Sequence, residues 1–162
     1  MPTPSPLSCY TGQRRGFEKK GKKLLLVEDE ALIAVEQKKA YLQEILQSSP
    51  DGFWLVGENN SIIDVNEAYC RMSGYSREEI LRLSVADIDA LETEKETVAR
   101  RERILRQGYD IFETQHRRKD GSRFSVEVSV SLLDRHAGIM ACFCRDITER
   151  QKAMEELEDT RW

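Results

Sequence analysis

One segment of the chain alternates strictly between apolar and polar side chains. Its apolar members are Phe124, Val126, Val128 and Val130, and serine or glutamate occupies each position between them. Because successive side chains of a strand point to opposite faces of a sheet, this period predicts a β-strand with one buried face. The four apolar side chains are therefore expected to face the interior of the protein.

Two short apolar segments near the middle of the chain predict a hairpin. Residues 53–56 and 62–65 are strand candidates, and the connection between them contains Asn60. Asparagine tolerates the left-handed backbone conformation that such turns require. We therefore expect these two segments to pair as antiparallel strands.

Two more strands are predicted on either side of the alternating segment. Residues 111–117 lead towards Asp120-Gly121, a dipeptide that is a strong hairpin signal. Residues 139–147 are apolar at odd and even positions alike, which is typical of a strand covered on both faces. We expect this last strand to be central in the sheet or to lie under a further layer.

Helices are predicted before the first strand and between the second and third strands. Residues 31–47 contain no glycine or proline, residues 66–72 form a short helical segment, and Ser76 begins a capping box. Residues 89–107 are acidic at the start and basic at the end, which suits a helix dipole, with Asp89 and Glu92 as candidate capping residues. The order of elements predicts an α+β fold, a five-stranded antiparallel sheet with helices on one face.

Charge is unevenly distributed along the 162 residues. The net charge is −4, yet residues 1–23 hold six lysine and arginine residues against one glutamate. This basic start has three prolines and one phenylalanine, so residues 1–22 are predicted to be a disordered tail rather than an arm for nucleic acid or anionic lipid. The acidic remainder argues against nucleic-acid binding by the body of the protein.

Several classes of protein are not expected. No segment reaches the ~18 consecutive apolar residues of a membrane helix, and the start of the chain lacks the pattern of a secretory signal. The cysteines form no Cys-x-x-Cys pair or Cys/His cluster, so we expect reduced cytoplasmic thiols and no metal site. No nucleophile–base pair or phosphate loop is found, so no catalytic residue and no enzymatic activity are predicted.

Four ordered motifs cover about residues 46–150. They read SSPDGFWLV, SIIDVNEAYCRMSGYSREEIL, HRRKDGSRFSVEVS and CRDITERQKAMEEL. Together they resemble a PAS domain with its C-terminal PAC motif, as found in the sensory proteins of two-component pathways. The chain departs from the family pattern at Gly57, where Asp is common, and at Asn60, where Gly is common; both positions lie in a turn.

The resemblance implies a cavity between the helices and the inner face of the sheet. It places a set of strand residues and two helical residues around that cavity, which would hold a small molecule or be an ordinary filled core. The implied pocket residues are Trp54, Val56, Tyr69, Met72, Phe112, Thr114, His116, Val126, Val128, Cys142 and Cys144.

The resemblance also allows the motifs of flavin-binding and haem-binding members to be compared with this sequence. Flavin-binding photosensors of the family carry an Asn-Cys-Arg-Phe-Leu-Gln motif after the helix that begins Ser-Arg-Glu-Glu-Ile, whereas residues 83–87 here contain no cysteine. Haem-binding members use a histidine in or near the long helix, and residues 89–107 contain none. Flavin and haem are therefore not expected, and the cofactor, if any, is unknown.

A final motif lies where the last strand gives way to a helix. In PAS domains the Asp-Ile-Thr signature stands at the start of the output helix, and here it is Asp146, Ile147 and Thr148. Thr148 and Gln151 have the spacing of a capping box, so the helix is expected to start at Glu149. The resemblance implies that these residues transfer a signal from the sheet to the helix.

A second, shorter resemblance concerns the segment KKLLLVEDEALIA. It is similar to the first strand and helix of a response-regulator receiver domain, where Glu28 and Asp29 would match the acidic pair that binds magnesium. No phosphoacceptor site follows, and Asp64 belongs to the PAS match. We interpret the segment as a receiver-like remnant without phosphotransfer activity.

The predicted organisation has four parts. Residues 1–22 are a tail, residues 23–47 a receiver-like strand and lead helix, residues 48–148 the PAS/PAC domain, and residues 149–162 an output helix. We expect a cytoplasmic, homodimeric sensory module that binds a small ligand or a partner, such as a kinase or response regulator. The alternative is a ligand-free PAS interaction or dimerisation domain that acts on a partner kinase in trans.

Overall fold

The computed structural model describes the backbone of residues 11–161 and the side chains of residues 28–161. The chain divides into two compact units, the first ending at Glu44 and the second beginning at Ile45. The second unit contains the sheet and the cavity described below. Among the described residues, no helix combines the length and apolar character that crossing a bilayer requires.

The second unit is built on one antiparallel sheet of five strands. In spatial order the strands are β2, β1, β5, β4 and β3, and every neighbouring pair is antiparallel. This confirms the predicted α+β fold. The strands are β1 (Gly52–Val56), β2 (Ile62–Val65), β3 (Tyr109–Arg117), β4 (Arg123–Asp134) and β5 (Ile139–Asp146).

The strand that is apolar on both faces lies at the centre of the sheet. β5 pairs with β1 on one side and with β4 on the other. Its inner residue Cys142 is opposite Trp54, and its outer residue Phe143 is opposite Phe53, with ring centroids 5.1 Å apart. The central position explains why β5 lacks the polar alternation of β4.

Six helices accompany the strands in the described part of the chain. Four of them connect β2 to β3, and α6 follows β5 directly. A 3₁₀ turn, Glu58–Asn60, joins β1 to β2, and both Asn59 and Asn60 take positive φ angles. The helices are α1 (Thr11–Ser48), α2 (Glu67–Ser73), α3 (Arg77–Ile80), α4 (Val85–Ile88), α5 (Glu94–Gln107) and α6 (Thr148–Asp159).

The long helix α5 begins later than the sequence indicated. Its cap is Thr93, whose hydroxyl accepts from the N–H of Glu96 while the Glu96 carboxylate accepts from the N–H of Thr93. Asp89, the predicted cap, instead lies in the preceding turn and is almost fully buried. Both residues belong to types that cap helices, so residue type alone did not distinguish them.

The receiver-like strand predicted near Leu24–Val27 is not found, because these residues continue helix α1. The absence of glycine and proline from residues 22–47 allows one continuous helix instead. The receiver-like interpretation therefore gains no support. Helix α1 also includes residues 11–22 of the predicted tail, while residues 1–10 lie outside the described residues.

Candidate functional site

A small cavity lies between the inner face of the sheet and the helices α4 and α5. Its volume is about 50 Å³. Since one water molecule needs roughly 10–15 Å³ by the same measure, there is room for only a few heavy atoms. The lining residues are Trp54, Val56, Asn60, Val85, Glu92, Thr97, Arg100, Arg101, Ile104, Val128, Val130, Met140 and Cys142.

The structure divides the predicted pocket residues into two groups. Those that line the cavity are Trp54, Val56, Val128 and Cys142. The remaining residues belong to the packed core or lie against it, because large side chains fill that end of the fold. These core residues are Tyr69, Met72, Phe112, Thr114, His116, Val126 and Cys144.

An aromatic cluster explains why that end of the fold is filled. The Trp54 ring lies 4.7 Å from the Tyr69 ring and 5.3 Å from the His116 ring, between centroids. Phe124 meets the His116 ring edge to face at 5.8 Å. Such geometries are favourable for aromatic pairs. Trp54 belongs both to this cluster and to the cavity wall, whereas the rings of Tyr69, His116 and Phe124 do not line the cavity.

His116 and Tyr69 form a buried polar pair within this cluster. The Tyr69 hydroxyl lies 2.9 Å from Nδ1 of His116, and both side chains are almost inaccessible to solvent. Burial lowers the pKa of His116 to about 3 and raises the pKa of Tyr69 well above its usual value. Both groups are therefore neutral at pH 7, and the phenol can donate to an unprotonated Nδ1. This is a structural role within the core.

Asp89 holds the turn that leads into α5. Its carboxylate accepts hydrogen bonds from the N–H groups of Leu91 and Glu92 and from the Thr114 hydroxyl on β3. Burial raises the pKa of Asp89, and these hydrogen bonds oppose that rise. The arrangement fixes the wall of the cavity against β3.

Arg100 is fully engaged by neighbouring groups on the cavity wall. Its guanidinium pairs with the carboxylates of Glu92 and Asp110, the latter at 2.8 Å, and lies over the Phe112 ring. Burial lowers the pKa of Arg100, but the two carboxylates outweigh that effect and raise it. Two carboxylates thus compensate the charge of Arg100, and its guanidinium packs on the ring of Phe112.

Arg101, the next residue of α5, has a different environment. Its guanidinium donates to the Gly138 carbonyl oxygen at 2.7 Å and to Oδ1 of Asn60 at 3.3 Å. Among the described residues, no carboxylate lies within 4.0 Å of it. Burial lowers the pKa of Arg101, and the more distant Glu58 only partly opposes this. Gly138 permits the approach, because a Cβ there would lie 2.6 Å from the guanidinium.

Trp54 presents a second unusual group in the same cavity. Its indole N–H is buried, and no nitrogen or oxygen atom of the described residues accepts a hydrogen bond from it. Burial raises the pKa of the nearby Cys142 thiol to about 12, and a hydrogen bond from the Trp54 indole opposes that rise. A neutral thiol is a weak acceptor. The Trp54 N–H therefore has only this weak acceptor among the described residues.

The junction between β5 and α6 is tied to the neighbouring strand β4. Ile147 is buried, and its N–H donates to the carbonyl oxygen of Ser125 at 3.0 Å. The N–H of Ser125 in turn donates to the Thr148 hydroxyl at 3.2 Å. Asp146 accepts from the N–H of Thr148 at 2.9 Å. The start of α6 is thus attached to the sheet by the backbone N–H and the backbone carbonyl of Ser125.

The predicted capping box at this junction is wrong. Thr148 is the first residue of α6, and its hydroxyl is used by Ser125 rather than by Gln151. The N–H of Gln151 instead donates to the carbonyl oxygen of Ile147 at 3.0 Å, as in a regular first turn. Competition from a strand neighbour cannot be seen from spacing along the chain, because Ser125 is distant in sequence.

Sequence reasoning missed the cavity residues that come from α5 and from the turn before β2. Arg101 and Ile104 were treated only as part of a helix, and Asn60 only as a turn residue. The helical spacing of Thr97, Arg101 and Ile104 places them on one face and could have indicated a shared wall. The alternation along β4 and β5 could also have placed Val130 and Met140 in the cavity wall.

Comparisons with known proteins agree with this architecture. Residues 50–149 match the family model described as PAS domain. The chain is 35% identical over 106 residues to the methyl sulfide methyltransferase-associated sensor of Methanosarcina acetivorans, covering 64% of this chain and 10% of that protein. It is 27% identical over 131 residues to the sensor histidine kinase TmoS of Ectopseudomonas mendocina, covering 77% and 13%.

A solved structure supports the same relationship. The crystal structure of a PAS domain from a two-component sensor histidine kinase superposes with a TM-score of 0.61 at 27% identity, covering 69% of this chain and 98% of that one. The chain thus spans only a small part of the curated relatives, but nearly all of this domain structure.

Proposed function

Because this chain belongs to the PAS domain family and is related to sensor histidine kinases, we propose that it is a ligand-responsive sensory module. Occupancy of the cavity beside α5 would change the attachment of α6 to the sheet. A cytoplasmic location and the absence of catalysis are part of this proposal. Helix α6 would pass this change on to a partner kinase or response regulator.

The observation that carries the proposal is the double attachment of Ser125 to the junction. Val128 and Val130 line the cavity on β4, the strand that holds Ser125. Cys142 lines it on β5, the strand that continues into α6. A molecule that presses on these side chains therefore acts on both strands that define the start of the helix. It shifts the helix only if it binds two arrangements of the junction with different affinity.

Native mass spectrometry of the chain purified from cells tests whether a small molecule is retained. Val130→Leu narrows the cavity, and Val98→Leu makes the same change at an exposed position of α5. We expect a retained mass on the wild type and on V98L, and its loss from V130L. An equal retained mass on V130L and V98L would contradict a ligand in this cavity.

A second candidate function is a ligand-free interaction domain. Two observations favour it: the cavity is far smaller than the roughly 300 Å³ at which drug-sized ligand pockets begin, and apolar side chains are exposed on the outer face of the sheet. Ile111 and Phe143 lie in one cross-strand row there, with Ser129 between them. Helix α1 also exposes Leu32 and Leu42.

Under this second function the protein is a homodimer that uses these apolar surfaces. Sedimentation equilibrium at micromolar concentration measures the mass directly. A dimer that persists in the absence of any retained small molecule would favour the interaction domain. A monomer at that concentration would contradict the dimer.

A further inference from the structure

A buried asparagine connects the end of α1 with the first strand and with α2. Asn66 is 1% exposed, and its side-chain N–H groups donate to the backbone carbonyl oxygens of Leu46 at 2.7 Å and Asp51 at 3.1 Å. Its Oδ1 accepts from the N–H groups of Phe53 at 2.8 Å and Tyr69 at 3.1 Å. A side-chain amide has two donor hydrogens and two acceptor lone pairs, so the hydrogen-bonding capacity of Asn66 is fully used within the chain.

The last turn of α1 and the first turn of α2 satisfy each other. The carbonyl oxygen of Leu46 lies where a helix leaves its carbonyl groups without intrahelical partners, and Asn66, the cap of α2, donates to it. In return, Oε1 of Gln47 accepts from the N–H of Glu67, the first residue of α2, at 3.0 Å. Leu46 and Gln47 both belong to the second unit of the chain. The end of α1 is therefore held at two points by the segment that begins α2.

The same asparagine holds both backbone polar groups of Phe53. The N–H of Phe53 donates to Oδ1 of Asn66, and its carbonyl oxygen accepts from the N–H of Asn66 at 2.9 Å. Phe53 is opposite Phe143 in the pairing of β1 with β5, and β5 leads directly into α6. Ser125 holds the start of α6 in the same way, through its N–H and its carbonyl oxygen. The sheet is thus attached both to the helix that precedes it and to the helix that follows it.

Antiparallel pairing places these two attachments at the same end of the sheet. Gly52, at the start of β1, is opposite Cys144, two residues before the end of β5. Beside this pair, the side chains of Asp51 and Arg145 form an ion pair at 3.6 Å. Helix α2 is packed directly against the start of β1, because a Cβ on Gly52 would lie 2.7 Å from Cδ2 of Tyr69. A displacement at the end of α1 therefore reaches the end of β5 through a single pair of strands.

From these observations we propose that Asn66 is a positioning residue that couples α1 to α6. A rearrangement that arrives along α1 would then alter the attachment of α6 to the sheet while the cavity stays unchanged. This requires that the intact and the broken Asn66 contact with Leu46 favour different arrangements of the α6 junction. The inference gives the domain a second input besides a ligand, and it rests on the proposed function only for the role of α6 as the output.

Asn66→Asp separates the coupling from the capping of α2. An aspartate keeps an oxygen for the N–H groups of Phe53 and Tyr69, and it caps helices as well as asparagine does. At pH 7 its carboxylate has no donor for the carbonyl oxygens of Leu46 and Asp51. The variant therefore releases the end of α1 while it keeps the hydrogen bonds to β1 and to the first turn of α2.

Backbone amide exchange followed by NMR measures the result. We expect N66D to speed the exchange of Ser48, in the last turn of α1, and of Gln151, in the first turn of α6, by roughly threefold to tenfold. The amides of β3 that pair with β4 should be unchanged, whereas a purely structural role would speed their exchange as well. Asn59→Asp makes the same chemical change at an exposed position between β1 and β2 and should match the wild type. Faster exchange at Ser48 with wild-type exchange at Gln151 would overturn the coupling.

Gln47→Ala tests the same junction from the side of α1. It removes the acceptor of the Glu67 N–H at an exposed position, so it does not threaten folding, and exchange at Ser48 and Gln151 should become roughly twofold faster or more. Gln43→Ala, one helical turn earlier and also exposed, is the matched control. If N66D destabilises the whole domain, this pair decides the question. Equal exchange at Gln151 in Q47A and Q43A would then overturn the coupling.

Comparison with the cavity variant separates this inference from the proposed function. If N66D changes the exchange of Gln151 and Val130→Leu does not, the coupling from α1 stands and the response to a ligand in the cavity is wrong. If V130L changes the exchange of Gln151 and neither N66D nor Q47A does, the response to a ligand stands and the coupling from α1 is wrong.

Discussion

The N–H of Ser125, near the start of strand β4, donates to the hydroxyl of Thr148 at the start of the last helix, at 3.2 Å. The carbonyl oxygen of the same serine accepts from the N–H of Ile147. A strand residue and the first turn of a helix are thereby joined at two points. The Asp-Ile-Thr signature uses its threonine to attach the helix to the sheet rather than to cap the helix.

Removal of the Thr148 hydroxyl should loosen this attachment. Thr148→Val keeps the shape of the side chain but leaves the buried N–H of Ser125 without its acceptor, so we expect a loss of about 1–2 kcal/mol in unfolding free energy. Amide hydrogen exchange should rise in the first turn of α6 more than in β3. The same substitution at Thr160, whose hydroxyl contacts only its own helix, is the control. Equal exchange in the two variants would contradict the role of the hydroxyl.

The stability of the domain should depend on pH through His116. Its folded-state pKa of about 3 is below the unfolded value of 6.5, so the unfolded chain binds more protons between these values. Stability is therefore complete above about pH 6.5 and falls by up to about 1.4 kcal/mol for each unit of pH below it. Denaturant unfolding between pH 4.5 and 7.5 measures this slope.

Two histidine variants separate this effect from general acid sensitivity. His136→Gln changes an exposed histidine and should keep the full slope. His116→Gln removes the titrating group, so its stability should vary less with pH even though it is lower overall. The interpretation is wrong if H116Q and the wild type show the same slope.

The double ion pair of Arg100 should contribute measurably to stability. Arg100→Gln leaves Glu92 and Asp110, both mostly buried, without their cation. We expect a loss of about 2 kcal/mol, between the values for exposed and fully buried pairs. Arg106→Gln, at an exposed position near the end of α5, should change stability by less than about 0.5 kcal/mol. Thermal or urea unfolding of both variants checks the difference.

The parts of the fold that sequence predicts are those decided by local patterns. The alternation of Phe124 to Val130 places these residues on the inner face because strand periodicity is local. Ser76 forms the predicted capping box with Glu79, and Asn60 takes the predicted positive φ. In each case the residues that decide the structure are neighbours in the chain.

The parts that sequence did not predict depend on contacts between distant residues. Thr93 rather than Asp89 caps α5 because the Asp89 carboxylate is used by Thr114 on β3. The filling of the space around His116 depends on aromatic rings from Trp54, Tyr69 and Phe124, which are distant from one another in sequence. Gly138 and Asn60, which accept hydrogen bonds from Arg101, are distant from it in sequence, so this environment is known only from the folded structure.

The most direct measurement concerns whether the cavity and α6 are coupled. Backbone amide exchange followed by NMR reports on Thr148 and Gln151 in the wild type, in Val130→Leu, which alters the cavity, and in Val98→Leu, which does not. The sensory mechanism predicts that V130L changes the exchange rates of both amides, while V98L matches the wild type. A folded V130L variant with wild-type exchange at Thr148 and Gln151 would contradict it.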